Sequence, residues 1–173
     1  MTEWTFGYDG WLVWDGEYPD IEVGGTFEAG IEFWFVGKYA LSDVNDLGTE
    51  QLGSCRYQAT AKVVEVAEFV VLDLGSLLVS CHAAPMSSSS DLRVGDTIRA
   101  KIGLALNPFG YYPGSAARKK WWTVNKILCT RHVENPSLAR SLGHEAEEIR
   151  AVSTQTVDSL DSCVIECTLT AAE

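Results

Sequence analysis

The chain has 173 residues, of which 46% are apolar and 21% charged, and this composition excludes the low-hydrophobicity, high-charge class of disordered proteins. No apolar run approaches the roughly 20 residues that a membrane-spanning helix needs, and the amino terminus lacks the basic and apolar regions of a secretion signal. We therefore expect a cytoplasmic protein. Its five cysteines are expected to be free thiols, because their number is odd and their spacing irregular.

The formal net charge of −11 is unevenly distributed. Residues 1–50 hold eleven acids and one base, whereas residues 91–132 hold two acids and eight bases. An acidic surface repels the phosphates of nucleic acids and attracts basic proteins over long distances. The charge therefore favours a protein partner with a basic surface and disfavours nucleic acid, except at the basic segment.

The amino-terminal stretch combines an alternating strand pattern with two turns. Trp4, Phe6 and Tyr8 alternate, and Asp-Gly pairs at residues 9–10 and 15–16 predict a hairpin that pairs with the strand that follows it. Interleaved acidic and aromatic side chains are typical of binding hot spots. We predict that a binding face for a basic protein partner is formed by Asp9, Trp11, Trp14, Asp15, Glu17, Tyr18 and Asp20.

Residues 21–35, IEVGGTFEAGIEFWF, are echoed by residues 92–106, LRVGDTIRAKIGLAL. In each copy apolar and polar residues alternate, which predicts a strand with one buried face that begins at a Val-Gly turn. The alternation places Val23 and Val94 on the buried face.

The polar positions of the two copies carry opposite charges, since Glu28 in the first copy corresponds to Arg99 in the second. Opposite charges on neighbouring strands favour pairing in one register. We therefore expect the copies to lie side by side, with Glu28 and Glu32 facing Arg99 and Lys101.

Residues 57–83 predict three short strands, over 57–66, 69–74 and 77–82. A fourth strand in the second copy and a fifth within residues 119–133 follow. This order resembles an OB-fold barrel of the S1-like variety, in which a VGD sequence leads into the fourth strand, over residues 57–133. The resemblance implies a barrel architecture and no particular activity.

The resemblance also draws attention to the loop between the fourth and fifth strands, residues 107–122. OB-folds bind single strands through aromatic and basic side chains near this loop. The residues of this alternative binding site are Tyr111, Tyr112, Arg118, Lys119, Lys120 and Trp121.

The carboxyl-terminal region predicts one helix and a closing strand. Ser137 is a suitable helix cap, and apolar residues at helical spacing favour a helix over residues 137–150. After it, the alternation of Cys163, Ile165, Cys167 and Leu169 indicates a strand with these side chains inward.

Motifs for catalysis, phosphate binding and dinucleotide binding are not found in the sequence. Cys81, His82, Cys129 and His132 are soft metal ligands, but their spacing lacks the paired pattern of a zinc site. We expect no metal and no organic cofactor.

These observations predict a mainly β single domain over residues 1–173, an antiparallel barrel or two packed small sheets, with sub-modules at 1–50, 57–133 and 134–173. The function predicted is that of a non-enzymatic acidic binding protein, of the immunity or inhibitor type, that neutralises a basic toxin or nuclease-like partner. Two alternatives stay open, namely a β-barrel enzyme or small-molecule binder with an aromatic-lined cavity, and an OB-type binder of single-stranded nucleic acid.

Overall fold

In the computed structural model of the chain, strands account for most of the residues that the structure describes, which are residues 3–8, 13, 16, 19–82, 91–107, 119–131, 147–153 and 163–171. The predicted mainly β fold is confirmed. No helix within these ranges is long and apolar enough to cross a lipid bilayer.

The described ranges contain thirteen strands. In chain order they are β1 (Glu3–Tyr8), β2 (Ile21–Glu22), β3 (Thr26–Phe35), β4 (Ala40–Leu41), β5 (Gly48–Gly53), β6 (Arg56–Val66), β7 (Phe69–Asp73), β8 (Leu78–His82), β9 (Thr97–Asn107), β10 (Lys120–Arg131), β11 (Glu147–Ile149), β12 (Ala151–Val152) and β13 (Cys163–Ala171).

Contacts within the chain group the strands into two compact units. Unit 1 consists of residues 1–28 and 120–173, and unit 2 of residues 29–119. The single domain with three sub-modules stays a prediction.

Five strands of unit 2 close into a barrel. β3 pairs with β9, β9 with β6, β6 with β7, and β7 with β8, each time antiparallel. The parallel pairing of Glu32 in β3 with Ser80 in β8 closes the ring. The predicted barrel is therefore confirmed.

Alternating apolar side chains fill the interior of this barrel. Ile98, Ile102 and Leu104 of β9 are completely buried, whereas Arg99 and Lys101 between them are exposed. Full burial of one such apolar side chain contributes roughly 1.5–3 kcal/mol. The alternation therefore decides which face of each strand turns inward.

The closed ring is compatible with the OB-like architecture, but one predicted strand is not where the resemblance placed it. β6, β7, β8 and β9 match the first four predicted strands closely. The fifth, predicted within residues 119–133, forms β10 in unit 1, and β3 takes its place in the ring. The correction follows from pairing, since the ladder that β3 forms with β9 leaves that edge of β9 occupied.

Unit 1 is built on a sheet with the strand order β11-β10-β13-β1, in which each pair is antiparallel. The alternating side chains Trp4, Phe6 and Tyr8 are all buried, and the Phe6 and Trp122 rings pack edge to face with their centroids 5.3 Å apart. Among the described strands β1 pairs with β13 and with neither β2 nor β3, so the predicted pairing of the amino-terminal strand with the first copy is wrong. The predicted hairpin through the Asp-Gly pairs at residues 9–10 and 15–16 lies largely outside the described residues.

The carboxyl-terminal strand β13 has the predicted orientation. Ile165, Cys167 and Leu169 are all buried. The side chain of Cys163 lies outside the described residues.

The predicted helix over residues 137–150 is wrong at its carboxyl end. Residues 147–149 form β11, which pairs with Ile127–Cys129 of β10. Glu147 and Glu148 are exposed there. Backbone hydrogen bonding to the edge of β10 outweighs the helical spacing of the apolar residues here, because helix propensity is only a weak preference. The rest of the predicted helix, through residue 146, lies outside the described residues.

The two copies of the repeat form the same turn. Gly24 and Gly95 have positive φ angles of 87° and 98°. In each turn the fourth residue donates its N–H to the carbonyl of the first, Gly25 to Glu22 and Asp96 to Arg93, both at 3.0 Å. These are the features of a type II turn, which requires glycine at its third position.

Each turn is also held by the same pair of bonds to a neighbouring strand. In unit 1 Gly24 donates to the carbonyl of Val124 at 2.8 Å, and Val124 donates to the carbonyl of Gly25 at 2.9 Å. In unit 2 Gly95 and Val63 form the equivalent pair, with Asp96 as acceptor. The repeat in the sequence is therefore a repeat in structure.

The turn explains why one detail of the alternation fails. Val23 and Val94 were predicted on the buried face, but both are exposed, the latter by 65%. Each is the second residue of its turn and precedes the strand. The strand period therefore does not apply to it.

The two copies pair antiparallel with each other, as expected, but not through their charges. Phe33 lies opposite Leu104, and Glu32 opposite Ala105. Lys101 is four residues further along β9, about 13 Å by strand rise, and Arg99 lies opposite Ala40 of β4 and Thr60 of β6. The predicted pairing of the glutamates with Arg99 and Lys101 is wrong.

Replacement of either turn glycine by alanine tests the repeat. Gly24→Ala and Gly95→Ala should each lower the free energy of unfolding by about 1–2 kcal/mol, because a Cβ disfavours the left-handed conformation. Urea denaturation measures the change. Gly48→Ala is the control, since Gly48 lies in a strand and a Cβ there meets no atom within 4 Å. Losses as small as that of Gly48→Ala would contradict the turn assignment.

Candidate functional site

Much of the predicted acidic binding face lies outside the described residues. These positions are Asp9, Trp11, Trp14, Asp15, Glu17 and Tyr18. Asp20 is described and exposed. The segment before it is fixed to β1, because the Tyr8 hydroxyl donates to the carbonyl of Pro19 at 2.7 Å.

Asp20 borders a pocket within unit 1. The volume of this pocket is about 390 Å³, which falls in the range of ligand sites. Its described lining consists of Asp20, Ile21, Glu22, Gly25, Thr26, Phe27, Val124, Ala151 and Ser153. We call it the unit 1 pocket.

Backbone pairing holds the walls of the unit 1 pocket. Glu22 of β2 lies opposite Ala151 of β12. Val23, which follows β2, donates its N–H to the carbonyl of Arg150 at 2.8 Å. The turn after β2 is bonded to Val124, so the pocket sits where the first copy of the repeat meets β10.

The pocket has an apolar floor and an anionic rim. Ile21 and Phe27 are buried, whereas Asp20, Glu22 and Thr26 are exposed. Among the described lining residues the charged side chains are the two carboxylates. This combination suits a cationic group on an aliphatic stem, which places its stem on apolar surface and its charge in a polar environment.

Sequence reasoning identified Asp20 but not the opposite wall of the pocket. Val124, Ala151 and Ser153 come from segments distant in the chain, and β2 and β12 pair over only two residues each. A two-residue strand leaves no periodic pattern. The sequence feature that lies at the pocket is the Val-Gly turn, whose following residue, Gly25, is part of the lining.

The alternative basic site is also only partly described. Tyr111, Tyr112 and Arg118 lie outside the described residues. Lys119 is half-buried, and Lys120 and Trp121 are exposed at the start of β10, where the next residue, Trp122, turns into the core. The assembly of the predicted set into one site stays a prediction.

The cysteines are arranged as core residues. Cys81, Cys129 and Cys167 are buried and form no disulfide, and no group of three metal-binding side chains occurs among the described residues. His82 contacts the Phe69 ring and lies 3.8 Å from the carboxylate of Glu68, while His132 lies outside the described residues.

Comparisons of the chain with models of protein families, with curated proteins and with solved structures found no match. The geometry and charge of the described residues are therefore the basis for the function proposed below.

The buried thiols should be unreactive. Burial, and secondly the charge of Glu32, raise the pKa of Cys81 to about 12, and burial raises the pKa of Cys167 well above its usual range. Neither forms a thiolate at pH 8, and the thiolate is the nucleophile. Alkylation of the native protein followed by peptide mass spectrometry should leave both cysteines unmodified, with full modification in urea.

The same shifts predict how stability depends on pH. The unfolded chain releases these protons near pH 9, while the folded protein retains them. Their contribution to the free energy of unfolding is therefore complete below pH 9 and is lost as pH rises further.

For the alkylation experiment, rapid modification of Cys81 in the native protein at pH 8 would contradict the conclusion that the buried thiols are unreactive.

Proposed function

We propose that the protein is a non-enzymatic binding protein whose unit 1 binds a basic protein partner. The observation that carries the proposal is the unit 1 pocket, with an apolar floor and the carboxylates of Asp20 and Glu22 at its rim. A lysine or arginine side chain of the partner matches both features, because its methylene stem is apolar and its end is cationic.

The distribution of charge between the units supports this proposal. Unit 1 contains fifteen acids and five bases, a balance of −10, whereas unit 2 contains nine acids and eight bases, a balance of −1. Complementary charge raises the rate at which a partner is captured and orients the encounter. A cationic partner is therefore drawn to the unit that contains the pocket.

The outer positions of β3 in unit 1 extend the anionic surface beyond the pocket. Thr26 lines the pocket, and Glu28 follows it on the same side of the strand, since strand side chains alternate. Glu28 is exposed. No structural pairing with Arg99 occupies it, and its charge is directed to solvent.

The proposed partner class is a basic toxin or a nuclease-like protein. Such proteins carry a cationic surface because their substrate is a polyanion. Occupation of that surface by unit 1 excludes the substrate without any chemistry in the inhibitor. The proposed role is therefore that of an immunity protein or stoichiometric inhibitor.

The alternative of an enzyme or small-molecule binder with an aromatic-lined cavity receives less support from the geometry. Among the described lining residues of the unit 1 pocket, the aromatic one is Phe27. A pocket with two carboxylates and one aromatic ring favours a cation over a flat apolar ligand.

Neutralisation of the rim should weaken binding of a cationic probe. We expect Asp20→Asn/Glu22→Gln to reduce the affinity for a fluorescent oligoarginine peptide about 5- to 30-fold, since two partly desolvated charge interactions are worth roughly 1–2 kcal/mol. Fluorescence anisotropy measures the affinity. The matched control is Asp46→Asn/Glu50→Gln, which removes the same charge from exposed positions of unit 2.

The same variants are then tested against purified basic nucleases, with stoichiometric loss of nuclease activity as the readout. The proposal predicts that the rim variant inhibits less than the control variant. Equal affinity losses in the rim and control variants would show that only the net charge matters, and the pocket would have no role.

A further inference from the structure

The outer face of the unit 2 barrel carries an ordered set of side chains on β6 and β9. Directly opposite residues of an antiparallel pair point to the same side of the sheet. The four successive rows on this outer side are Arg56 opposite Gly103, Gln58 opposite Lys101, Thr60 opposite Arg99, and Lys62 opposite Thr97. Each row holds one exposed cation, and we call these four cations the cation ladder.

The cations are evenly spaced. Consecutive rows are two residues apart, or about 7 Å by strand rise, and the two strands lie about 4.8 Å apart. The two middle cations, Lys101 and Arg99, lie on β9, and the two end cations, Arg56 and Lys62, lie on β6. The ladder is therefore about 20 Å long and one positive charge wide.

The rest of the described protein neutralises the ladder only in part. The described salt bridges are His82–Glu68 and Lys126–Glu148, and neither includes a ladder residue. Glu50 of β5, opposite Gln58, is a carboxylate beside the second row, and Asp73 of β7, opposite Lys62, is a carboxylate beside the fourth row. The local balance of the face is thus +2.

An aromatic ring lies at one end of the ladder. Trp34 of β3 is opposite Gly103, which in turn is opposite Arg56. The indole packs directly over the backbone of Gly103, so that a Cβ at this position would overlap the ring. The Trp34 side chain is nevertheless 43% exposed. One ring face rests on the sheet and the other is open to a ligand.

We propose that this face of unit 2 binds single-stranded nucleic acid, with phosphates along the cation ladder and an unpaired base stacked on Trp34. The site differs in residues, unit and ligand from the site of the proposed function.

The combination of features selects this ligand over other anions. A row of single cations suits a flexible chain that carries one negative charge per repeat. An acidic peptide meets that condition as well, but it gives no flat group for the open face of Trp34. Stacking of a base on an aromatic side chain is favourable for every base, and in a duplex the bases are already stacked and paired. Single strands therefore satisfy both parts of the face.

The net charge of −11 does not conflict with this site. Of that charge, −10 belongs to unit 1, and unit 2 is close to neutral. Repulsion between exposed charges is screened within about 10 Å at 0.1 M salt. Binding at the ladder is therefore governed by the local cations.

Fluorescence polarisation with a labelled oligothymidylate of about twelve nucleotides, within the site sizes of single-strand binding folds, tests the proposal. Each cation that contacts a phosphate contributes a slope of about −0.7 to the dependence of log affinity on log salt. The expected slope for the intact ladder is about −2.8. Arg99→Ala/Lys101→Ala should reduce its magnitude by about 1.4.

The control is Lys126→Ala/Arg150→Ala, which removes two cations from unit 1, the half-buried Lys126 that pairs with Glu148 and the exposed Arg150, and should leave the slope unchanged. Trp34→Leu should lower the affinity about 5- to 100-fold, the range expected for loss of one stacked base. An abasic oligonucleotide of the same length should bind the unaltered protein as weakly as the normal oligonucleotide binds Trp34→Leu. The comparison of the two oligonucleotides uses the unaltered protein, so it does not depend on the folding of a variant.

Four results would overturn the proposal. One is a slope that falls equally in the ladder and control variants. The second is equal affinity for the abasic and normal oligonucleotides, which would show that no base stacks on Trp34. The third is displacement of the oligonucleotide by polyglutamate at the same charge concentration, which would identify the ligand as an acidic protein segment. Tighter binding of a duplex of equal length would contradict the single-stranded assignment.

Discussion

The antiparallel ladder between β3 and β9 is the interaction on which most of unit 2 depends. It brings together the two copies of one sequence pattern and fixes Phe33 opposite Leu104. A shift of the register by one residue would turn every side chain of a strand to the opposite face. Ile31, Phe33, Leu104 and Leu106 would then leave the core. The buried faces therefore determine the register.

The register is also symmetric with respect to the repeat. Ile31 lies opposite Leu106, and Phe35 opposite Ile102. Ile102 is the equivalent of Ile31 in the second copy, and Leu106 is the equivalent of Phe35. Each copy thus meets the other in the same way, and each begins at the same type II turn with the same two bonds to a valine.

The reversed charges have a simple explanation in this arrangement. In both copies the inward-facing residues are constrained because they fill the core, and the turn glycines are constrained because they adopt positive φ angles. Outer positions meet neither constraint and are free to differ. Glu28 contributes to the anionic face of unit 1, and its equivalent Arg99 contributes to the cation ladder of unit 2. One strand pattern thus supports two faces of opposite charge, for which we propose different ligands.

Strand positions were predictable from sequence, whereas most strand partners, apart from the pairing of the two copies, were not. The alternation of apolar residues located β6, β7 and β8 to within one residue at each end, and the turn glycines located the start of both copies. Alternation reports which face of a strand is buried and contains no information on its neighbour. For this reason the place of β3 in the ring and the pairing of β1 with β13 required the structure.

The candidate sites show the same limit. Asp20 was found because acidic and aromatic residues are dense around it. The cation ladder was missed, because Arg56 and Lys62 are separated from Arg99 and Lys101 by about 40 residues and meet only through the pairing of β6 with β9. Charge counted along the chain does not show which bases share a face.

Engineered disulfides test the register of β3 and β9 most directly. Glu32→Cys/Ala105→Cys places two thiols on directly opposite residues, whose Cα atoms lie about 4.5–5.5 Å apart and within the range of a disulfide. This pair should oxidise readily in the folded protein, as judged by disulfide mapping with mass spectrometry. Glu32→Cys/Lys101→Cys, which corresponds to pairing by charge, should remain reduced. Oxidation of the second pair and not the first would contradict the register that unites the two copies of the repeat and places Trp34 at the end of the cation ladder.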